Sequence, residues 1–354
     1  MSSDIIYANV ISYQQIHEMA EKDTNNNNKI LWLSIIQGWA ILLVVIGHVN
    51  AFTYNADGEI YPLGNFIQTF CYSFHMPLFM FVSGGLLYFS RLSKGWATGE
   101  LYKDKLKRLL IPYIAFTIIG FCIKIPMSAF TKRGIDATPG GFINALFDPA
   151  NGPLNELWFI GTLMWLMLMY PLYKMMLKSA WTEVILLTMT LIPFIIDVHP
   201  KFNGWFNLKD VSQYAFFFVG GILFFKYNVI HYFERSLLPA IIFTCIYALA
   251  WIIDAAPVCL ATAGILMSFG WGAQVVRFFP GLFNLFRDYS FQIFLVGIFP
   301  QMLVELVVWR QVHSQSLVVP FYLVSVLFAL FAGVLIGKYG RRLPAILRWC
   351  IGLK

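Results

Sequence analysis

Apolar runs of about 20 residues recur along the whole chain, near residues 30–52, 63–90, 106–128, 156–177, 181–197, 211–227, 237–253, 258–276, 289–309 and 318–337. Each is long enough to cross a hydrocarbon core of about 30 Å as a helix. Lipid offers no hydrogen bonds to the backbone, so only helices and closed barrels span it, and these runs lack the alternation of barrel strands. The pattern predicts an all-α, polytopic integral membrane protein of about ten transmembrane helices. Composition agrees, since 59% of the 354 residues are hydrophobic and only 12% charged, against about a quarter charged in a soluble domain.

Orientation follows from the basic residues, which accumulate in cytoplasmic segments. With the N-terminus inside, 19 of the 25 Lys and Arg fall on the cytosolic side, while Lys124, Lys132, Arg133, Lys201, Lys209 and Arg310 fall outside. Both termini are therefore expected in the cytosol. The net charge of +7 reflects this topology and needs no nucleic-acid partner.

The chain divides into a polar cytosolic tail at 1–29, with an Asn run at Asn25 to Asn28 and no cleavable signal, a membrane domain at 30–337, and a basic cytosolic tail at 338–354. Cys71, Cys122, Cys245, Cys259 and Cys350 are odd in number and lack C-x-x-C spacing, so they read as small buried hydrophobes. One local echo exists: residues 79–87 (FMFVSGGLL) resemble 217–223 (FFVGGIL). Close helix packing through small residues accounts for it, whereas a transporter-type repeat would extend over whole halves.

Titratable side chains inside a span are the informative anomaly, because they cost free energy unless they face a cavity or a partner. His48 lies late in the first span and His75 in the middle of the second. Each is read either as a structural hydrogen-bonding group between helices or as a functional one. Gln37 and His48 are 11 residues apart, about 20° beyond three full helical turns and about 16 Å in depth, so they share one face leading inward from the cytosol. Pro77, two residues after His75, removes a helical hydrogen bond from Ser73, and Ser83, Gly84 and Gly85 permit close approach. Such irregularity is tolerated only against protein or a water-filled cavity. Histidine is suited to accepting a hydroxyl proton near neutral pH. A metal site is not expected: H-E-x-x-H is absent and neither histidine has a carboxylate at i+3 or i+4.

On the cytosolic side Arg91, Lys105, Lys107 and Arg108 read first as membrane anchors, a reading compatible with the alternative that they bind the phosphates of a nucleotide-bearing donor. On the outer side Glu156 and Trp158 open the fourth span, Trp158 as an interfacial aromatic or both as contacts for an acceptor sugar.

Taken in order, the first-span segment ending in His48, Phe74-His75-Met76-Pro77-Leu78-Phe79-Met80-Phe81-Val82-Ser83-Gly84, Lys107-Arg108-Leu109-Leu110-Ile111-Pro112-Tyr113, Leu157-Trp158-Phe159-Ile160 and Tyr289-Ser290-Phe291-Gln292-Ile293-Phe294-Leu295 resemble the membrane-bound acyltransferase family 3 over residues 30 to 337. The resemblance implies O-acyl, often O-acetyl, transfer from acyl-CoA to a surface or envelope polysaccharide or glycolipid precursor, in a bacterial inner membrane. It implies a catalytic first-span histidine, here His48, with His75 nearby. Acyl-CoA is then the donor, with Gln37, Arg91, Lys105, Lys107 and Arg108 on its side, and no tightly bound cofactor is expected. Two positions depart from the family pattern: Gln37 stands where it has Arg, and Gly297 lies where its ninth-span motif reaches a histidine. A polysaccharide or lipid translocator, or an inactive assembly partner of a glycan pathway, are the alternatives; inverted repeats would favour the first.

Overall fold

The computed structural model describes residues 31–49, 62–126, 134–195, 207–307 and 317–353; the 1–29 tail lies outside them. Among the described residues the regular structure is entirely helical. Five helical stretches are long and apolar enough to cross a membrane alone: Pro62–Leu92, Thr98–Lys124, Leu208–Lys226, Pro257–Phe278 and Val319–Arg342. Two bent pairs raise the number to seven, and Leu31–Gly47, Ala180–Ile195 and Leu238–Ile252 are shorter apolar helices. The chain is thus a multi-pass membrane protein.

Helices are numbered along the chain. The ones that matter here are α1 (Leu31–Gly47), α2 (Pro62–Leu87), α3 (Thr98–Lys105), α4 (Ile111–Lys124), α5 (Pro139–Phe147), α6 (Trp158–Leu168), α7 (Tyr170–Met176), α8 (Ala180–Ile195), α9 (Leu208–Lys226), α10 (Ile230–Glu234), α11 (Leu238–Ile252), α12 (Pro257–Phe278), α13 (Ser290–Val296), α14 (Ile298–Val307), α15 (Val318–Tyr339) and α16 (Ala345–Cys350). The two bends have a common cause. Pro171 opens α7 after a 50° bend, and Pro300 follows the 52° bend between α13 and α14. A proline ring clashes with the carbonyl four residues earlier and supplies no N–H, so neither pair continues as one straight helix.

The core is built where α2 meets α9. A Cβ on Gly84 would strike the carbonyl of Phe218, and one on Gly221 would strike the carbonyl of Phe81. The two echoing segments therefore face each other across one interface, with backbones closer than any side chain allows, as small residues permit between helices in lipid. Phe81, Phe224 and Phe269 fill the adjoining space, with ring centroids 4.8 to 5.4 Å apart.

Residues 134–157 pack along α4. Phe142 meets Phe121 at 5.5 Å, the Tyr113 hydroxyl donates to the carbonyl of Leu146 at 2.8 Å, and Pro153 and Leu154 lie against Gly120. At the other end of α4 the C-terminal residues form structure too. The short helix α16 packs on α4, and the Gln292 amide donates to the carbonyl of Ile351 at 3.0 Å.

Candidate active site

Helix α1 ends at Gly47, and the last carbonyls of any helix lack an internal donor. Here side chains add donors beside the amides of His48 and Val49, which reach the carbonyls of Val44 and Ile46. Gln301 donates to the carbonyl of Val45 at 2.8 Å, Tyr322 to that of Ile46 at 3.0 Å, and the His48 ring pairs through Nδ1 with that of Val44 at 2.8 Å. His48 is thereby held at the end of α1 by its own helix, with α14 and α15 beside it. His75, fully inside α2, is fixed in the same way by the carbonyl of Cys71 at 2.7 Å. A carbonyl only accepts, so in both rings Nδ1 carries the proton and Nε2 the lone pair.

The two imidazoles lie edge to face, 6.1 Å between centroids, and Tyr72 touches both, at 5.7 Å from His48 and 4.9 Å from His75. His75 is buried and His48 half-buried. Two histidines on different helices thus share one place, each with the nitrogen that accepts a proton left free of its backbone anchor. The arrangement is suited to taking a proton from a hydroxyl.

One helical turn beyond His75, Phe79 packs on Phe159 at 5.7 Å, and Phe159 on Phe294 at 5.1 Å. Past these rings opens a cavity of about 840 Å³. Gln37, Ser83, Ser90, Ser290 and Gln292 line it, with six cations, Arg91, Lys105, Arg108, Arg287, Arg341 and Arg348, against one carboxylate, Asp288. Two π-helical turns, Tyr88–Leu92 and Leu106–Leu110, carry Arg91 and Arg108; such turns insert a residue and are frequent at functional sites. Arg91 is further set by Asp104 at 3.2 Å and by the Trp96 ring 3.6 Å below it.

Of the cations expected from sequence, Arg91, Lys105 and Arg108 line this cavity. Lys107 does not, lying exposed over the Trp349 ring at 5.0 Å. Gln37 lines it without bringing charge, but Gly38 beside it lets Phe283 and Arg287 approach α1, which places a guanidinium in the same cavity. Sequence reasoning missed Arg287, Arg341 and Arg348, because a basic residue at a span end looks the same whether it anchors or binds.

At the opposite end of α4, Glu156 sits half-buried in a 3₁₀ turn, and Trp158 stacks on Tyr214 at 5.3 Å. A second cavity, about 270 Å³, is lined there by Asp136, Asn144, Asp148 and Asn151. Hydrogen bonds from the Thr138 side chain and amide hold the Asp136 carboxyl below the usual carboxylate range. Among the described residues no group of three or more His, Cys, Asp or Glu is placed to hold a metal ion.

Comparison with known proteins gives three findings. The family model for an acyltransferase domain, acyltransferase 3, matches residues 30–338. Nodulation protein NolL of Mesorhizobium japonicum is 29% identical over 114 residues, 31% of this chain. That match spans 30% of the relative's own length. No solved structure matches. With nearly the whole described chain inside one family model, the protein belongs to acyltransferase family 3.

Proposed function

We propose that this chain is a membrane O-acyltransferase that takes an acyl group, acetyl in the simplest case, from cytosolic acyl-CoA and passes it to a hydroxyl of an envelope polysaccharide or glycolipid precursor in a bacterial inner membrane. The observation that carries the reading is that the cationic cavity ends at Phe79, Phe159 and Phe294, one helical turn of α2 from His75, which pairs with His48. Gln37 and His48 bound one path along α1, about 16 Å apart, and Arg91 and His75 bound another along α2 and the π turn that follows it, about 24 Å apart. A donor with a polyphosphate head and a long thin arm ending in a thioester matches that shape, its head among the cations and its arm passing Phe79, Phe159 and Phe294.

His48 then accepts the acceptor hydroxyl's proton on Nε2, and the alkoxide attacks the thioester carbonyl. Collapse of the tetrahedral adduct forms the ester and expels the CoA thiolate, which takes the proton back from the imidazolium. His75 orients His48 or shares the proton. The acceptor enters from the end bearing Glu156, Trp158 and the amide-lined and carboxylate-lined cavity, groups that pair with sugar hydroxyls.

In this reading all ten apolar helical stretches cross the bilayer, both termini are cytosolic, and the 840 Å³ cavity opens to the cytosol. A translocator built from repeated halves is disfavoured because the echo is confined to residues 79–87 and 217–223 and does not extend over whole halves. Mass spectrometry of envelope glycans from cells with and without the protein tests the acceptor. Loss of an acyl group from a glycan supports the reading, and identical glycans in both strains contradict it.

A further inference from the structure

The cations of the large cavity come from two parts of the chain. Arg91, Lys105 and Arg108 belong to the π turn after α2, to α3 and to the π turn before α4, where a basic cluster is evident in the sequence. Arg287, Arg341 and Arg348 come from the turn before α13 and from the C-terminal segment, which the sequence reads as a tail. The fold goes to some length to hold this second group. Arg287 Nη1 donates to the carbonyls of Pro280 at 3.0 Å and Leu282 at 3.3 Å, in a loop where Phe283 has φ 65°, a region costly for a bulky side chain. Gly352, at φ 72°, packs on Phe291 and lies beside the carbonyl of Arg108, which brings the C-terminal segment under the cavity.

Among the described residues the Nε atoms of Arg91, Arg287 and Arg348 are buried with no hydrogen-bond partner. Buried donors of this kind are nearly always satisfied, and a guanidinium's planar fork fits phosphate oxygens. Asp104 takes up the charge of Arg91 and, among the described residues, Asp288 is the sole carboxylate in the lining, which leaves the cavity strongly positive. A diphosphate alone is a small match for six cations spread over two chain regions.

We infer that Arg287, Arg341 and Arg348 form a second phosphate-binding centre, distinct from the one on α2 to α4, which holds the ribose 3′-phosphate of the donor while Arg91, Lys105 and Arg108 hold its diphosphate. This rests on the nucleotide-donor reading above. It makes the C-terminal segment part of the donor site and makes the donor a 3′-phosphorylated nucleotide, in preference to a carrier with a bare phosphopantetheine.

The test is equilibrium binding of CoA and of dephospho-CoA, which lacks only the 3′-phosphate, to the full-length purified protein. The wild type binds CoA at least tenfold more tightly than dephospho-CoA, and Arg348→Gln loses that preference while binding dephospho-CoA as the wild type does. Arg348→Lys, which keeps a charge without the fork, retains part of it. Should Arg348→Gln lose both ligands, Arg341→Gln, at an exposed side chain, decides by the same comparison. Equal wild-type affinity for the two, or a preference that survives in both glutamine variants, overturns the inference. Failure of the wild type to bind either ligand overturns the nucleotide-donor reading itself.

Discussion

At the scale of single residues, acyl transfer would turn on two imidazoles whose Nδ1 protons are fixed by backbone carbonyls. Each Nδ1 faces a carbonyl of its own helix, 2.8 Å for His48 and 2.7 Å for His75. A base that acts in the chemical step and not in donor binding has a distinct kinetic signature. His48→Ala is expected to lower turnover by about 10²–10⁴-fold, the usual contribution of general-base catalysis, with the donor KM changed by less than about threefold because the cations lie some three turns away. A KM that rises while turnover holds would move His48 into donor binding. That a titratable pair belongs in these two spans was legible in the sequence, since histidine in an apolar run is conspicuous. That the rings meet was not, because it depends on how α1 and α2 pack, with Gly47 against Cys71 and Tyr72. Arg287 was hidden for the same reason: only the approach permitted by Gly38 puts it beside Gln37.

At the scale of elements, glycine decides which helices can meet. Gly84 and Gly221 each press against a backbone carbonyl of the partner helix, whereas Gly99 in α3 has nothing within 4 Å of a Cβ. Gly84→Ala is therefore expected to destabilise by at least about 1–3 kcal/mol, the range for overpacking. Gly99→Ala is expected to be neutral or stabilising by up to about 1 kcal/mol, since it only restricts the unfolded chain. Thermal unfolding in detergent compares the two directly, and equal melting temperatures would mean that α2 and α9 do not meet through Gly84. A second tie sits at the ends of α8 and α9, where buried Glu183 receives both Lys226 and Tyr227. Hydropathy runs mark where helices are but not where they break. The bends at Met169 and Gly297 follow from Pro171 and Pro300, a signal present in the sequence. The packing of α5 along α4 is carried by tertiary contacts of Phe142 and Leu146 that leave no local pattern.

At the scale of the whole molecule, the chain arranges a positive cavity at one end, a histidine pair inside, and an amide and carboxylate surface at the other end. Charge counting over the sequence assigns the positive end to the cytosol. Single cysteines test this: Ser93→Cys is expected to react with a membrane-impermeant maleimide only in inside-out vesicles, and Gly134→Cys only in right-side-out ones, with the reverse pattern inverting the proposed topology. The most direct test of acyl transfer itself is release of free CoA thiol when the purified protein meets acetyl-CoA and a membrane glycolipid fraction. Acceptor-dependent thiol release is expected from the wild type and only background release from His48→Ala; equal release by both proteins would rule out His48 as the base.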